Sequence, residues 1–174
     1  MITIISGTNR PHSNTFKLAS YYQQRLLEKG AAAHLLSLAD LSADFISADM
    51  YSKAGNDAFR PYQDRITATE KFIFVIPEYN GSFPGILKTF VDACKFPDSF
   101  FNKKAALVGL SSGKYGNVRG VDHFTGVCHY VRLHVLPLRI HIPHIFNEFD
   151  AEGNLYKEDT VRFTNEQIAE FIRF

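Results

Sequence analysis

Phe72-Ile73-Phe74-Val75-Ile76 is an unbroken apolar run that stops at Pro77. So short a run with no polar position suits a strand covered on both faces, the situation inside a parallel sheet. Ala105 to Leu110 repeats the pattern. A parallel pair needs a crossover, and the segment between these runs supplies one. Pro84-Gly85 opens a helical stripe in which Leu87, Phe90, Val91 and Cys94 fall on one face, closed by Pro97.

The same alternation extends in both directions. Met1 to Ile5 predicts a first strand. A helix follows from about Asn14 to Lys29, with Phe16, Ala19, Tyr22, Leu26 and Leu27 on its apolar face and Gly30 as its stop. Ala33 to Leu38 predicts a second, more polar strand. Leu41 to Asn56 is irregular, a surface loop with a broken turn, and a helix is expected from about Asp57 to Thr69 with Pro61 near its first turn. Val118 to Val131 predicts a helix, His134 to Ile142 a fifth strand carrying Pro137, Asp150 to Asp159 a turn-rich stretch, and Thr160 onward a last helix. Five strand–helix alternations imply a doubly wound α/β fold in one domain spanning residues 1–174. A flavodoxin-like three-layer sandwich is expected, its five-stranded parallel sheet in the order 2-1-3-4-5. That order puts the proline-bearing fifth strand and the polar second strand at the edges, where each is best tolerated.

Composition narrows the function. A net charge of +1 with scattered basic residues gives no footprint for a nucleic acid. No basic leader with an apolar core opens the chain, and no run of about 18 apolar residues occurs, so no membrane partner and a cytoplasmic location are expected. Cys94 and Cys128 form no CxxC pair and read as reduced core thiols.

In this topology the loops after strands one, three and four gather at the carboxyl end of the sheet. The first is Gly7-Thr8-Asn9-Arg10-Pro11-His12-Ser13-Asn14-Thr15. Ser13 is the natural N-cap, which leaves the N–H groups of Asn14, Thr15 and Phe16 closest to an incoming anion. Position 16 is not Glu or Gln, so no capping box returns a carboxylate there. Arg10 adds forked donors suited to phosphate. An ordinary capped turn has the same features, helix N-termini being generic anion sites. The second loop, Pro77-Glu78-Tyr79-Asn80-Gly81-Ser82-Phe83-Pro84, holds an Asn-Gly pair that permits left-handed backbone angles. The third, Ser111-Ser112-Gly113-Lys114-Tyr115-Gly116, has little side-chain bulk and can approach a planar ring closely.

A phosphate seat beside two backbone-rich walls describes a mononucleotide site, and here the sequence resembles the NADPH-dependent FMN reductase family of the flavodoxin-like superfamily. The resemblance covers nearly the whole chain. Its most specific segment runs from Pro77-Glu78-Tyr79-Asn80 into Pro84-Gly85-Ile86-Leu87-Lys88. Family members commonly carry Gly-Ser-x-Arg where this chain has Gly7-Thr8-Asn9-Arg10. The resemblance implies that Thr8, Arg10, Ser13, Asn14 and Thr15 hold the phosphate of FMN. It implies that Pro77, Glu78, Tyr79, Asn80 and Gly81 flank the isoalloxazine, with Ser111, Gly113, Lys114, Tyr115 and Gly116 on its other side. NADPH or NADH would be the co-substrate and free flavin, a quinone or a similar small molecule the electron acceptor. Because flavin N5 carries the chemistry, no side chain is expected to act as acid or base, Glu78 included. The family also implies a homodimer or homotetramer in which the helix after Pro84-Gly85 meets a neighbouring subunit.

Other features weigh less. His123, His129, His134, His141 and His144 lie close in sequence, but a metal needs convergent ligands and none is expected. Two further functions remain compatible with an FMN site: a flavodoxin-like electron carrier and a flavin-binding sensor. Carriers of that kind are usually strongly acidic, unlike this chain.

Overall fold

The computed structural model describes residues 1–46, 48–51 and 56–174. Its strands are β1 (Ile2–Ser6), β2 (Ala33–Ser37), β3 (Lys71–Pro77), β4 (Lys104–Leu110), β5 (His134–Val135) and β6 (Ile140–Ile142). The helices are α1 (Asn14–Glu28), α2 (Arg60–Ala68), α3 (Gly85–Ala93), α4 (Val118–Tyr130) and α5 (Glu158–Arg173). All strand pairs are parallel, in the order β2-β1-β3-β4-β5, with β6 also on β4. Every residue of β3 from Phe72 to Pro77 and of β4 from Ala105 to Leu110 is buried, which is what their unbroken apolar runs require.

One layer packs α1 and α5 against the sheet through Leu18, Tyr22, Leu26, Ile168 and Phe171. The other packs α2, α3 and α4 through Ile66, Leu87, Phe90, Val121 and Phe124. The buried side of α1 is Thr15, Leu18, Ala19, Tyr22 and Leu26. Phe16 and Leu27, expected on that face, are instead 42% and 60% exposed. The face actually used is rotated towards Thr15 and Leu18, and Leu18 packs in the core with Ala19, Tyr22 and Leu26. Pro61 sits in the first turn of α2, where its missing N–H costs nothing. In the irregular loop, 3-10 turns form at Ala43–Phe45 and Ala48–Tyr51; residues 47 and 52–55 of that expected surface loop lie outside the described residues.

The expected fifth strand is two strands. β5 pairs with Lys104 and Ala105, the ladder stops at Pro137, and β6 resumes at Val108. Proline cannot donate to the ladder, so the β4 carbonyl at Leu107 would face the gap alone. Gln167 of α5 fills it. This fully buried side chain donates Nε2–H to Leu107 O at 3.1 Å and Leu138 O at 2.8 Å, and accepts from the buried Tyr22 hydroxyl at 2.8 Å. A side-chain amide thereby does the work of the missing strand residue.

At the opposite end of the sheet Lys71 caps α5. Its Nζ donates to Phe171 O at 3.2 Å and Ile172 O at 3.0 Å, among the carbonyls that a helix C-terminus leaves unpaired. Lys71→Met is expected to remove about 1 kcal/mol of stability, the usual worth of such bonds. A shift of the urea midpoint at constant slope is the check, and an unshifted midpoint would refute it.

Candidate active site

The first crossover begins with a contact only glycine allows. A Cβ at Gly7 would lie 2.9 Å from Val75 O and 3.3 Å from Leu87 Cδ2. Gly7 N–H donates to Val75 O at 2.9 Å, extending the β1–β3 ladder one residue, and Thr8 N–H then turns back to Ser6 O. Ser13 caps α1, its Oγ accepting from Phe16 N–H at 3.1 Å. Phe16 N–H is therefore spent on the cap. The N–H groups of Asn14 and Thr15 find no backbone acceptor among the described residues and are open to an anion.

The second loop is a tight hairpin turn. Tyr79 and Ser82 exchange N–H···O bonds of 2.9 and 3.1 Å, and the two residues between them, Asn80 (φ 52°) and Gly81 (φ 77°), are both left-handed. This is the arrangement an Asn-Gly pair favours. Glu78 N–H donates to Leu110 O at 2.9 Å, carrying the β3–β4 pairing into the loop. The Tyr79 side chain turns back across the top of β1. Its hydroxyl lies 2.6 Å from Thr8 Oγ1, and the Arg10 guanidinium stands 5.2 Å over its ring. On the far side Ser82 Oγ meets His123 Nδ1 at 2.9 Å.

The third loop is braced by the end of β6 and the segment after it. Ser111 N–H donates to Ile142 O, His144 N–H to Gly113 O and Ile145 N–H to Ser111 O, each at 3.0 Å. Gly116 packs inward: its N–H donates to Ser111 Oγ at 2.9 Å, and a Cβ there would lie 2.7 Å from the backbone of His141 and Ile142.

These loops enclose a cleft of about 180 Å³. The first crossover contributes Thr8, Arg10, His12, Ser13, Asn14 and Thr15, and the second loop Pro77, Glu78 and Tyr79. Leu110, Ser111 and Ser112 come from the end of β4, Ile145 and Phe146 from the turn after β6. Of the residues singled out from sequence, Asn80, Gly81, Gly113, Lys114, Tyr115 and Gly116 do not line it. Asn80, Gly113, Lys114 and Tyr115 are exposed beside it, Tyr115 at 58% with the Lys114 ammonium 5.0 Å over its ring. Ile145 and Phe146 carried no signal of their own. They reach the cleft because β6 lies beside β4, a consequence of strand order rather than of any motif.

Arg10 has no carboxylate partner among the described residues, and Glu78 is the one acidic residue lining the cleft. Two open N–H groups and an uncompensated guanidinium facing one small cleft fit a phosphate monoester. The remaining titratable groups sit elsewhere. Burial pushes the Cys128 thiol up to about 12 and raises Cys94 too, so neither is a nucleophile. Burial holds His141 below the ordinary imidazole value, against a weak bond to Gly116 O at 3.4 Å. No group of three or more His, Cys, Asp or Glu side chains converges among the described residues. No helix among them is long and apolar enough to cross a membrane.

A parallel sheet of order 2-1-3-4-5 with an anion seat at the first crossover defines the flavodoxin-like class. Residues 1–147 match the profile of NADPH-dependent FMN reductases, and the chain belongs to that family. It is 32% identical over 148 residues to a 2-hydroxy-1,4-benzoquinone reductase of Burkholderia sp., covering 78% of this chain and 81% of that one. It is 29% identical over 137 residues to an NAD(P)H-dependent FMN reductase of Pseudomonas aeruginosa, covering 76% and 74%. In fold it resembles a flavoenzyme NAD(P)H:(acceptor) oxidoreductase of Paracoccus denitrificans, with a TM-score of 0.84 at 24% identity over 99% of this chain and 94% of that one.

Proposed function

We propose that the chain binds FMN at this cleft and passes reducing equivalents from NADPH or NADH to free flavin, a quinone or a similar small acceptor. The observation that carries this is the convergence of the α1 N-terminus and Arg10 on the cleft that Tyr79 also lines. The Asn14 and Thr15 N–H groups and the Arg10 guanidinium would hold the phosphate, with Ser13 fixing the helix end and Thr8 beneath it. The turn at Asn80-Gly81 and the loop Ser111–Gly116, with Gly113, Lys114 and Tyr115 at its exposed tip, would flank the isoalloxazine outside the cleft. Bound FMN supplies hydride acceptance and delivery at N5. The protein supplies position and dipoles, and no side-chain acid or base is required. Family membership and the names of both relatives support the reading.

Mixing the purified, flavin-loaded protein with NADPH without oxygen is expected to bleach the yellow colour rapidly, with reoxidation on adding a benzoquinone. A protein that stays yellow would be a flavodoxin-like carrier instead. The near-neutral charge speaks against that reading, since a carrier docks on protein partners through a strong field.

We also propose that the chain acts as one domain and pairs with a second copy as a homodimer or homotetramer. Supporting this, a groove of about 510 Å³ between α3 and α4 carries Phe96 and Tyr130 at 71% and 84% exposure. We place the enzyme in the cytoplasm, where NAD(P)H is available and the free thiols Cys94 and Cys128 stay reduced.

A further inference from the structure

We propose that Tyr79 is a positioning residue for the phosphate, acting through Thr8, and that this pair makes the site discriminate FMN from the unphosphorylated flavin. The inference rests on the FMN reading above and assigns the Tyr79 hydroxyl to the tail of the cofactor rather than to its ring.

The argument is a count of protons. Thr8 and Tyr79 bring one hydroxyl proton each to a single 2.6 Å contact. A hydroxyl has one donor and two acceptor positions. Arg10 N–H already donates to Thr8 Oγ1 at 3.2 Å, which occupies one of its acceptor positions. One proton is spent between the two oxygens. The other has no protein acceptor among the described residues, and both residues line the cleft. Thr8 is 1% exposed, while Tyr79 is only partly buried. With water in the cleft, Thr8 donates to Tyr79, and the Tyr79 proton points to solvent. With a phosphate oxygen at the α1 N-terminus, rotating both C–O bonds reverses the chain. Tyr79 then donates to Thr8, and Thr8 donates to the anion.

The reversal moves no heavy atom. It makes Thr8 a stronger donor, because a hydroxyl that accepts two hydrogen bonds is polarised towards giving its own. An uncharged ribityl end has a proton to give as well as to take, and so draws far less from such a donor. The Arg10 guanidinium over the Tyr79 ring keeps that ring, and with it the hydroxyl, in place.

Titration of flavin-free protein with FMN and with riboflavin, followed by quenching of flavin fluorescence, tests the proposal. Wild type should prefer FMN. Tyr79→Phe should weaken FMN about five- to tenfold, the worth of one hydrogen bond in a charged chain, and leave riboflavin within about twofold. Thr8→Val should weaken FMN at least as much, Thr8→Ser should retain it, and Thr8→Val with Tyr79→Phe should be no worse than Thr8→Val alone. Unchanged melting curves exclude loss of fold. Equal losses for both flavins, or additive losses in the double variant, would overturn the pair while leaving the FMN site standing. A wild-type protein that binds neither flavin would overturn both.

Discussion

Gln167→Leu is expected to cost about 3–5 kcal/mol, because three polar groups, two buried and one half-buried, lose their partner at once and each buried orphan costs about 1–3 kcal/mol. Leu107 O, Leu138 O and the Tyr22 hydroxyl all depend on this one amide. Leucine fills similar space and offers none of the bonds. For a chain of this length the melting temperature should fall by about 6–20 °C. Tyr22→Phe removes only one of the bonds and should cost about 1 kcal/mol. Glutamate would also fail, since a carboxylate cannot donate to the two carbonyls. Calorimetry of the three variants checks the ranking. A Gln167→Leu protein within 1 kcal/mol of wild type would show that water repairs the gap in the sheet.

Arg10→Ala is expected to weaken FMN by about 1.5–3 kcal/mol, the range for a hydrogen bond to a charged group. That corresponds to a loss of roughly 10- to 150-fold in affinity. Arg10 lies over the Tyr79 ring, and no carboxylate among the described residues competes with an anion for its donors. Arg10→Lys keeps the charge but loses the fork and should fall between wild type and alanine. The wild-type affinity should weaken with added salt more steeply than that of Arg10→Ala. Equal affinity of Arg10→Ala and wild type in the same titration would take Arg10 off the phosphate.

Much of this architecture was legible where neighbouring residues decide it. The unbroken runs at Phe72–Ile76 and Ala105–Leu110 mark strands buried on both faces, and five strand–helix alternations point to the order 2-1-3-4-5, which suits Pro137 and the polar second strand by placing both at the edges. Ser13 as N-cap and Asn80-Gly81 as a two-residue turn were readable because capping and left-handed angles are properties of two or three consecutive residues. The division of the fifth strand was not, because what makes it tolerable is Gln167, 30 residues beyond Pro137 and on another element. Periodicity also misplaced Phe16 and Leu27, as the rotation of α1 is set by packing against elements distant in sequence. Ile145 and Phe146 reach the cleft only through strand order, and Gly116 answers to close packing against His141 and Ile142. The approach of Tyr79 to Thr8 spans 71 positions and has no local signature.

A cleft of about 180 Å³ would grip a guest by its handle. Drug-sized ligands ordinarily sit in hollows of about 300–1,000 Å³ that bury most of their surface. Here the greater part of a flavin would lie outside the cleft, on an open ledge. Choice among oxidants would then fall largely to redox potential, a geometry suited to broad rather than exclusive tastes.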